Sequence, residues 1–230
     1  MNPQLSIIIP AYNEEKYLQK TLNSLEQQTV HDYEVIVVAN GCTDKTEEIL
    51  KKINNPRLRY LSLPKANVSV ARNAGALNAQ AKLLLFLDAD TQLENDAIKL
   101  ILQQFSEKYS VATTKAKPDL PSWKYSLALG LKNVYNATHL YQGCSGALLC
   151  RKDDFHKVGG YDPEIIVREH RKLILQLLQK GKYRCLPTTA TTSMRRYRQW
   201  GLGKLLWFWT KQWVNDQRGE LKGKEYEVVR

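Results

Sequence analysis

An unbroken apolar run, Leu83 to Leu87, ends directly on Asp88-Ala89-Asp90. A run of this length is typical of a buried strand and too short for a core helix, so the two aspartates are predicted where a strand leaves a sheet. Side chains alternate along an extended chain, which places Asp88 and Asp90 on one side and Ala89 on the other. Such a pair suits a hard divalent cation, whose shell a bound diphosphate can complete, although a solvated turn would give the same pattern.

Short apolar runs of this kind alternate with segments of helical periodicity through the first half of the chain. Leu18, Leu22 and Leu25, for example, recur at the spacing of one helix face. Alternation of strand and helix predicts right-handed crossovers and an α/β fold, with a mostly parallel, Rossmann-like sheet covered by helices on both faces. The strands are predicted at residues 5–10, 34–39, 58–62 and 83–87.

Polar clusters follow three of the four predicted strands. Tyr12-Asn13-Glu14 comes after the first, Asn40-Gly41-Cys42-Thr43-Asp44 after the second, and Asp88-Ala89-Asp90 after the fourth. Ligands of open α/β sheets bind outside the carboxyl ends of the strands. The three loops are therefore predicted to meet at one crevice.

The second cluster also has a local explanation. Gly41 suits a tight turn, and Asp44 with Glu47 resembles a helix capping box. Asn40, directly at the strand end, is not explained in this way.

The second half of the chain shows a looser order of elements and is expected to form the other wall of the crevice. Its predicted strands are residues 111–116 and 146–150, and its predicted helices are residues 94–109, 122–140, 152–158 and 168–179.

Five sequence blocks in a fixed order resemble those of family 2 glycosyltransferases. They are SIIIPAYNEE at 6–15, VVANGCTD at 37–44, ARNAG at 71–75, FLDAD at 86–90 and VGGYD at 158–162, and the similarity runs from about residue 6 to about residue 182. This family has the GT-A fold and contains inverting enzymes that use nucleotide-activated sugars. The resemblance implies a transferase that moves a sugar from a UDP- or GDP-linked donor to an acceptor hydroxyl.

The resemblance also implies a set of donor-binding residues. The first loop would line the nucleotide pocket, Asn40 would bond the base edge, and Arg72 would approach the base or diphosphate unless it forms only a surface ion pair. Ala39 stands where the family usually has an acidic residue. By position, the nucleotide-binding residues are Pro10, Ala11, Tyr12, Glu14, Asn40, Arg72 and Asp88.

For the metal motif, the resemblance implies that Asp90 contacts a Mn2+ or Mg2+ ion and that Asp88 contacts the ion's water or the ribose. The cation would neutralise charge on the departing nucleoside diphosphate. Ser145 and Gly146 match the wall around the acceptor and donor sugar, or else serve only as a tight turn into a strand.

The expected catalytic pair departs from the family pattern. The family has Glu-Asp on the acceptor-side helix, with the aspartate as general base, whereas this chain has Glu169-His170. A carboxylate can remove the acceptor proton and also favour positive charge at the anomeric carbon, but a neutral imidazole can only do the first. Either His170 is the base, or Glu169 takes that role, or the protein is a non-catalytic homologue that binds nucleotide sugar or membrane.

The C-terminal region is basic and rich in tryptophan. The last 51 residues carry 12 Lys and Arg against 4 Asp and Glu, out of a net charge of +11. Leu202, Leu206, Trp209 and Trp213 would form one stripe of an amphipathic helix, with Arg195 and Arg196 just upstream. Residues 195–214 are thus expected either to lie on an anionic membrane, which would suit a lipid-linked acceptor, or to dock on the domain or a second subunit. No nucleic-acid-binding module is found.

Length and composition favour one compact domain with a C-terminal appendage. The resemblance implies that this is a GT-A domain, residues 1–194, followed by a basic helical appendage, residues 195–230. The domain would divide into a nucleotide-binding half, 1–117, and an acceptor half, 118–194. The four cysteines lack Cys-x-x-Cys spacing and are expected to be reduced thiols. Without a signal-peptide core or a spanning segment, the protein is expected in the cytoplasm, or peripherally on the cytoplasmic face of a membrane.

Overall fold

The computed structural model describes residues 3–218 and 220–223, apart from the side chains of Leu202 and Leu206. A single eight-stranded sheet, ordered β3-β2-β1-β4-β7-β6-β8-β5, carries helices on both faces. Across the described residues, no helix is both long enough and apolar enough to span a bilayer. In chain order the elements are β1 (Leu5–Ala11), α1 (Leu18–Glu26), β2 (Tyr33–Asn40), α2 (Thr46–Lys52), β3 (Leu58–Leu63), α3 (Val68–Asn78), β4 (Leu83–Leu87), β5 (Thr91–Leu93), α4 (Ala97–Gln104), β6 (Tyr109–Pro118), α5 (Trp123–Ala137), β7 (Ala147–Arg151), α6 (Lys152–Lys157), α7 (Glu169–Leu177), β8 (Lys182–Thr192) and α8 (Arg195–Gln217).

The first four long strands confirm the prediction of a parallel sheet. β1 pairs in parallel with β2 and β4, and β2 pairs in parallel with β3. All residues of β1 and β2 are buried, because one face packs on α1, α2 and α4 and the other on α3, α6 and α7. Burial on both faces explains the continuous apolar runs in these strands. Close packing is visible at Gly75 of α3, where a Cβ would lie 2.4 Å from Ile8 Cγ2.

The second half of the sheet is mixed. β7 runs antiparallel to both β4 and β6, whereas β6 and β8 are parallel and β5 closes the edge antiparallel to β8. β6 crosses the border expected between residues 117 and 118. Neither β5 nor β8 is predicted from the sequence. β5 is only three residues long, and β8 alternates in burial and contains Lys182, Arg184 and Pro187.

One local prediction, the capping box at the start of α2, is wrong. The helix begins at Thr46, whose N–H donates to Asp44 Oδ1 at 2.9 Å. The Glu47 carboxylate instead accepts a hydrogen bond from Ser62 Oγ on β3, at 2.8 Å. Asp44 thus caps the turn before the helix without a reciprocal partner.

The C-terminal helix α8 is present but is not amphipathic as predicted. Its apolar residues do not gather on one face, and Gly201 at φ 70° divides it into two segments. The buried side of the second segment is formed by Leu205, Phe208, Gln212 and Asn215, while Trp213 is exposed. Of the predicted stripe, Trp209 is therefore half-buried and Trp213 exposed. The side chains of Leu202 and Leu206, and residues 224–230 of the predicted appendage, lie outside the described residues.

Candidate active site

The loops after β1 and β2 meet at the carboxyl edge of the sheet and are tied together by hydrogen bonds. Asn13 adopts a left-handed conformation, φ 54°, in which its Oδ1 accepts from the N–H groups of Thr43 at 2.7 Å and Asp44 at 3.3 Å. The N–H of Glu14 donates to Thr46 Oγ1 at 2.8 Å. These bonds satisfy the polar groups of both loops and hold them as one rigid rim.

The loop after β4 is a turn, closed by a hydrogen bond from the Thr91 N–H to the Asp88 carbonyl at 3.0 Å. Ala89 is buried in the core, and its carbonyl accepts a hydrogen bond from Thr21 Oγ1 at 2.8 Å. The side chains of Asp88 and Asp90 lie on the opposite side, 50% and 15% exposed respectively. The two carboxylates thus lie away from the buried Ala89 as predicted, but they do so on a turn and not on the extended chain that the prediction assumed.

Arg72 is the central cation of the site. Its guanidinium donates to Asp88 Oδ1 at 2.8 Å and to Glu169 Oε1 at 2.6 Å, and it lies 5.2 Å from the ring centroid of Tyr161. Burial alone would lower the pKa of Arg72, but the charge of Glu169 and its other partners raises that pKa, so Arg72 stays positive. Although burial of Asp88 opposes its ionisation, Arg72 holds the pKa of Asp88 below its ordinary value.

Arg72 thereby connects the metal motif with the acceptor-side helix. It lies one turn inside α3, not at the start of the helix, whose cap is Asn67. Breaking a buried ion pair of this kind typically costs about 3–5 kcal/mol. Arg72 is consequently a fixed part of the site and not the surface ion pair considered from the sequence.

The catalytic candidates Glu169 and His170 begin α7. His170 Nδ1 lies 2.8 Å from the Tyr161 hydroxyl, and His170 Nε2 lies 3.9 Å from Glu169 Oε1. Burial, reinforced by the positive charge of Arg72, lowers the pKa of His170 to about 4, so the imidazole is neutral near pH 7. Burial also raises the pKa of Tyr161, which keeps its hydroxyl proton.

A second cation, Arg195, closes the opposite side of the crevice. Its Nη1 and Nη2 donate to Glu14 Oε2 and Oε1 at 2.7 and 2.6 Å, and Nη2 lies 3.0 Å from Asp90 Oδ2. The guanidinium also lies 4.7 Å from the ring centroid of Tyr17. Burial alone would lower the pKa of Arg195, but its hydrogen bonds to Glu14 raise it. The Glu14 carboxylate is thus bound by Arg195, and its contact with the nucleotide stays a prediction.

Most of the other residues predicted to bind the nucleotide are buried or bonded within the protein. Asn40 is buried, and its Oδ1 accepts from the N–H of Asn67 at 2.8 Å, so this oxygen is not presented to a base edge. Pro10 and Ala11 are buried at the end of β1, where the Ala11 side chain faces the core together with Ala39. Tyr12, the next residue, is partly exposed at the rim. Tyr12 is thus the accessible side chain of the first loop's predicted donor set.

The predicted wall residues are held by α5 and the second half of the sheet. Ser145 Oγ accepts from Asn136 Nδ2 at 2.5 Å, and the N–H of Ser145 donates to Thr113 Oγ1 at 3.0 Å. A Cβ on Gly146 would lie 2.6 Å from both Ala190 Cβ and Thr114 Oγ1. Gly146 therefore has a packing role, which accords with the tight-turn alternative.

Four residues around the site are not among the sequence-selected site residues: Tyr161, Arg195, Lys132 and Asn136. Tyr161 belongs to the VGGYD block and Arg195 to a noted basic pair, so both carried some signal. Lys132 and Asn136 are four residues apart on α5, without a motif around them. Burial lowers the pKa of Lys132, while Cys144 and Asp88 oppose that shift, so the ammonium group lies within the electrostatic reach of the aspartate motif.

The donor set for a divalent cation is small. Within residues 3–218 and 220–223, no cluster of three or more His, Cys, Asp or Glu side chains is arranged to hold a metal ion. Asp88 and Asp90 nevertheless supply the hard carboxylate oxygens that Mg2+ and Mn2+ prefer. This pair fits a cation whose remaining ligands come from a diphosphate and water, and Arg195 would have to share Asp90 with that cation.

A family profile described as glycosyl transferase family 2 matches residues 6–151, well over half of the chain. The chain belongs to this family. The matched region runs from β1 to β7 and so includes the rim, the aspartate motif and Arg72, but it ends before Glu169 and His170.

Curated relatives share the first half of the chain. A chondroitin synthase of Pasteurella multocida (strain Pm70) is 40% identical over 112 residues, which are 48% of this chain and 12% of that protein. Glycosyltransferase GlyA of Streptococcus pneumoniae serotype 4 is 33% identical over 109 residues, 46% of this chain and 16% of that protein. The chain therefore covers less than a fifth of the length of either relative.

Solved structures share the fold over most of the chain. S. aureus TarS 1-349 in complex with UDP-GlcNAc matches with a TM-score of 0.65 and 20% identity, over 83% of this chain and 58% of that one. Mannosyltransferase PcManGT from Pyrobaculum calidifontis, in complex with GDP-Man and Mn2+, matches with a TM-score of 0.69 and 14% identity, over 82% and 57%. These likenesses confirm the predicted α/β, GT-A architecture.

Proposed function

We propose that this family 2 glycosyltransferase transfers a sugar from a UDP- or GDP-linked donor to an acceptor hydroxyl. The observation that carries the proposal is the bridge formed by Arg72, which joins Asp88 at the sheet edge to Glu169 on the acceptor-side helix. Because of this bridge, the Asp88-Ala89-Asp90 motif and a candidate base lie at one crevice. Complexes of the structural neighbours with UDP-GlcNAc and GDP-Man support this class of donor.

The donor diphosphate would lie over the aspartate loop, within reach of three cationic side chains, Arg72, Lys132 and Arg195. Asp88 and Asp90 would hold a Mn2+ or Mg2+ ion, which when bound supplies Lewis-acid neutralisation of the departing diphosphate. A Mn2+ complex of a structural neighbour supports this assignment. Tyr12, accessible at the rim, would pack on the nucleotide.

Glu169 is the better candidate for the general base, because it is a carboxylate, whereas His170 is a neutral imidazole whose Nδ1 is engaged with the Tyr161 hydroxyl at 2.8 Å. The Glu169 carboxylate remains an acceptor even though Arg72 binds its Oε1. It can remove the acceptor proton and also favour positive charge at the anomeric carbon. His170, neutral near pH 7, would hydrogen-bond the acceptor or donor through Nε2.

A membrane-presented or lipid-linked acceptor is the finer part of the proposal. Exposed Trp207 and Trp213 lie on a helix with Lys204 and Lys211, a composition that suits an anionic interface. The protein would then work peripherally on the cytoplasmic face of a membrane.

A second candidate function, a non-catalytic nucleotide-sugar-binding protein, is favoured by one observation. Arg195 binds both Glu14 and Asp90, and Arg72 binds Glu169, so each acidic group of the site has a guanidinium partner. In such a protein the donor pocket would persist without a working base.

The experiment combines donor binding with slow donor hydrolysis. A thermal-shift series with UDP, GDP and their sugars, with and without Mn2+, identifies the donor; hydrolysis of that donor is then measured for the wild type, Glu169→Gln and His170→Gln. We expect Glu169→Gln to lower the rate by about 10²- to 10⁴-fold with donor binding retained. The matched control is Glu48→Gln, on the exposed side of α2. Donor binding with hydrolysis that neither Glu169→Gln nor His170→Gln lowers would contradict transfer and support the second candidate.

A further inference from the structure

Helix α5 exposes an apolar face that no other described element covers. Trp123, Leu127, Leu131, Val134 and Tyr135 are each between 51% and 73% exposed. Among the described residues, six of the eleven exposed large hydrophobic side chains fall between residues 123 and 140, the sixth being Leu140 just beyond the helix. Isolated exposed hydrophobic residues need no explanation, but a contiguous patch of this kind marks an interaction surface.

The geometry of the helix shows that this patch is one continuous stripe. At 100° per residue, the five exposed side chains fall within an arc of about 120°, along a little over three turns of helix. The opposite side of α5 makes the contacts with the domain. Leu129 and Tyr125 pack with Met194 and Tyr197, and Asn133 exchanges two hydrogen bonds with the backbone of Ala116 on β6, at 2.8 and 2.9 Å.

The charges around the stripe select its partner. α5 contains no Asp or Glu, and Lys124 lies at the edge of the stripe with its Nζ 5.7 Å from the ring centroid of Trp123. The whole chain carries a net charge of +11. Pairing two copies of this face would bring like charges together without acidic partners, whereas an anionic surface complements both Lys124 and the net charge.

We propose that the outer face of α5, defined by Trp123, Leu127, Leu131, Val134 and Tyr135, docks onto an anionic lipid bilayer with the helix parallel to the membrane plane. Tryptophan and tyrosine at the ends of the stripe suit the headgroup region, and the leucines and valine reach the acyl boundary. The basic, tryptophan-bearing surface of α8 is separate from this stripe, which lies wholly between residues 123 and 135.

The same helix contacts the candidate site through its inner face. Asn136 donates from Nδ2 to Ser145 Oγ at 2.5 Å and accepts at Oδ1 from the Gly143 N–H at 3.1 Å. Docking of α5 would therefore set the wall around Ser145 beside the bilayer, where a membrane-borne acceptor hydroxyl could be delivered. This consequence rests on the proposed transferase function, whereas bilayer docking itself does not.

The test is cosedimentation of the full chain with vesicles of phosphatidylglycerol and, separately, of phosphatidylcholine. We expect binding to the anionic vesicles, at least about tenfold weaker binding by Leu127→Glu/Leu131→Glu, and weaker binding of the wild type to the neutral vesicles. The matched control is Leu77→Glu/Leu175→Glu, which adds the same charge at exposed leucines of α3 and α7. The control should bind within about twofold of the wild type.

Several outcomes would overturn the proposal. They are absence of wild-type binding, equal binding to neutral vesicles, and equal loss in the control and in the α5 variant. Loss of binding in Lys204→Glu/Lys211→Glu but not in the α5 variant would assign the membrane contact to α8.

Sedimentation velocity distinguishes a homodimer face, because the α5 variant would then convert a dimer to a monomer without changing vesicle binding. Unchanged thermal unfolding and donor-induced thermal shift in the α5 variant separate this test from that of sugar transfer.

Discussion

Arg195 donates two hydrogen bonds to the Glu14 carboxylate, at 2.7 and 2.6 Å, and so joins the first residue of α8 to the loop after β1. Glu14 is buried and the Arg195 side chain is only 15% exposed, so this pair is largely shielded from water. A bidentate pair of this kind is stronger and geometrically more specific than a surface ion pair. The contact fixes where the C-terminal helix begins relative to the crevice.

Replacing this arginine should destabilise the protein substantially. Arg195→Ala leaves the buried Glu14 carboxylate without its guanidinium partner, and we expect a loss of about 2–4 kcal/mol in the free energy of unfolding. Urea titration followed by circular dichroism measures the loss. Arg196→Ala is the matched control, because Arg196 lies 5.4 Å from the Trp200 ring centroid and should cost about 1 kcal/mol or less. Similar losses in the two variants would contradict the assigned role of the Arg195–Glu14 pair.

The buried, neutral His170 should make stability depend on pH. Burial lowers the pKa of His170 from 6.5 to about 4, so between these values the unfolded chain binds a proton that the folded protein does not. The contribution of His170 to stability is therefore complete above pH 6.5 and is lost as the pH falls toward 4. Between pH 8 and pH 5 we expect the free energy of unfolding to drop by about 2 kcal/mol through this residue.

Comparison with His170→Gln isolates that effect. Glutamine can keep a hydrogen bond with the Tyr161 hydroxyl but does not titrate, and the other histidines are the same in both proteins. Urea unfolding at pH 5 and pH 8 should show a smaller pH difference in the variant than in the wild type. An equal difference in both proteins would mean that His170 is not held neutral.

The aspartate motif predicts metal affinity that depends on Asp90. In the presence of UDP or GDP, we expect Asp90→Asn to weaken Mn2+ binding by roughly tenfold or more, because a hard carboxylate ligand is lost. Electron paramagnetic resonance of unbound Mn2+ measures this affinity without any requirement for activity. Asp153→Asn, at an exposed position of α6, is the control. Wild-type Mn2+ affinity in Asp90→Asn would remove Asp90 from the metal site.

The parallel half of the fold could be predicted because burial on both faces leaves a direct pattern in the sequence. β1, β2 and β4 are continuous apolar runs, and their predicted positions match within about one residue at each end. β8 gave no such pattern, since its alternate residues are solvent-facing and Pro187 interrupts it. Sequence therefore predicts best those strands whose two faces are both covered.

The site could be predicted only in part, because sequence blocks identify residues but not their partners. Asp88, Asp90, Arg72 and Glu169 come from matching positions, whereas Arg72 and Glu169 are 97 residues apart and Arg195 and Glu14 are 181 apart. Neither hydrophobic periodicity nor motif spacing predicts an ion pair between residues so far apart in the chain. Glu14 and Asn40 were expected to face the nucleotide, and both have protein partners that only the folded chain reveals.

Two glycines provide a test of packing near the site wall. Gly146→Ala would place a Cβ 2.6 Å from both Ala190 Cβ and Thr114 Oγ1, so we expect overpacking to lower the free energy of unfolding by about 1–3 kcal/mol. Gly130→Ala is the counterpart, because a Cβ there meets nothing within 4 Å and alanine favours the interior of α5. We expect Gly130→Ala to stabilise the protein by about 0.5–1 kcal/mol. Urea unfolding measures the change in the free energy of unfolding of each variant, which should be a loss for Gly146→Ala and a gain for Gly130→Ala. An unchanged free energy in Gly146→Ala would mean that β6 and β8 can move apart at this point at little cost.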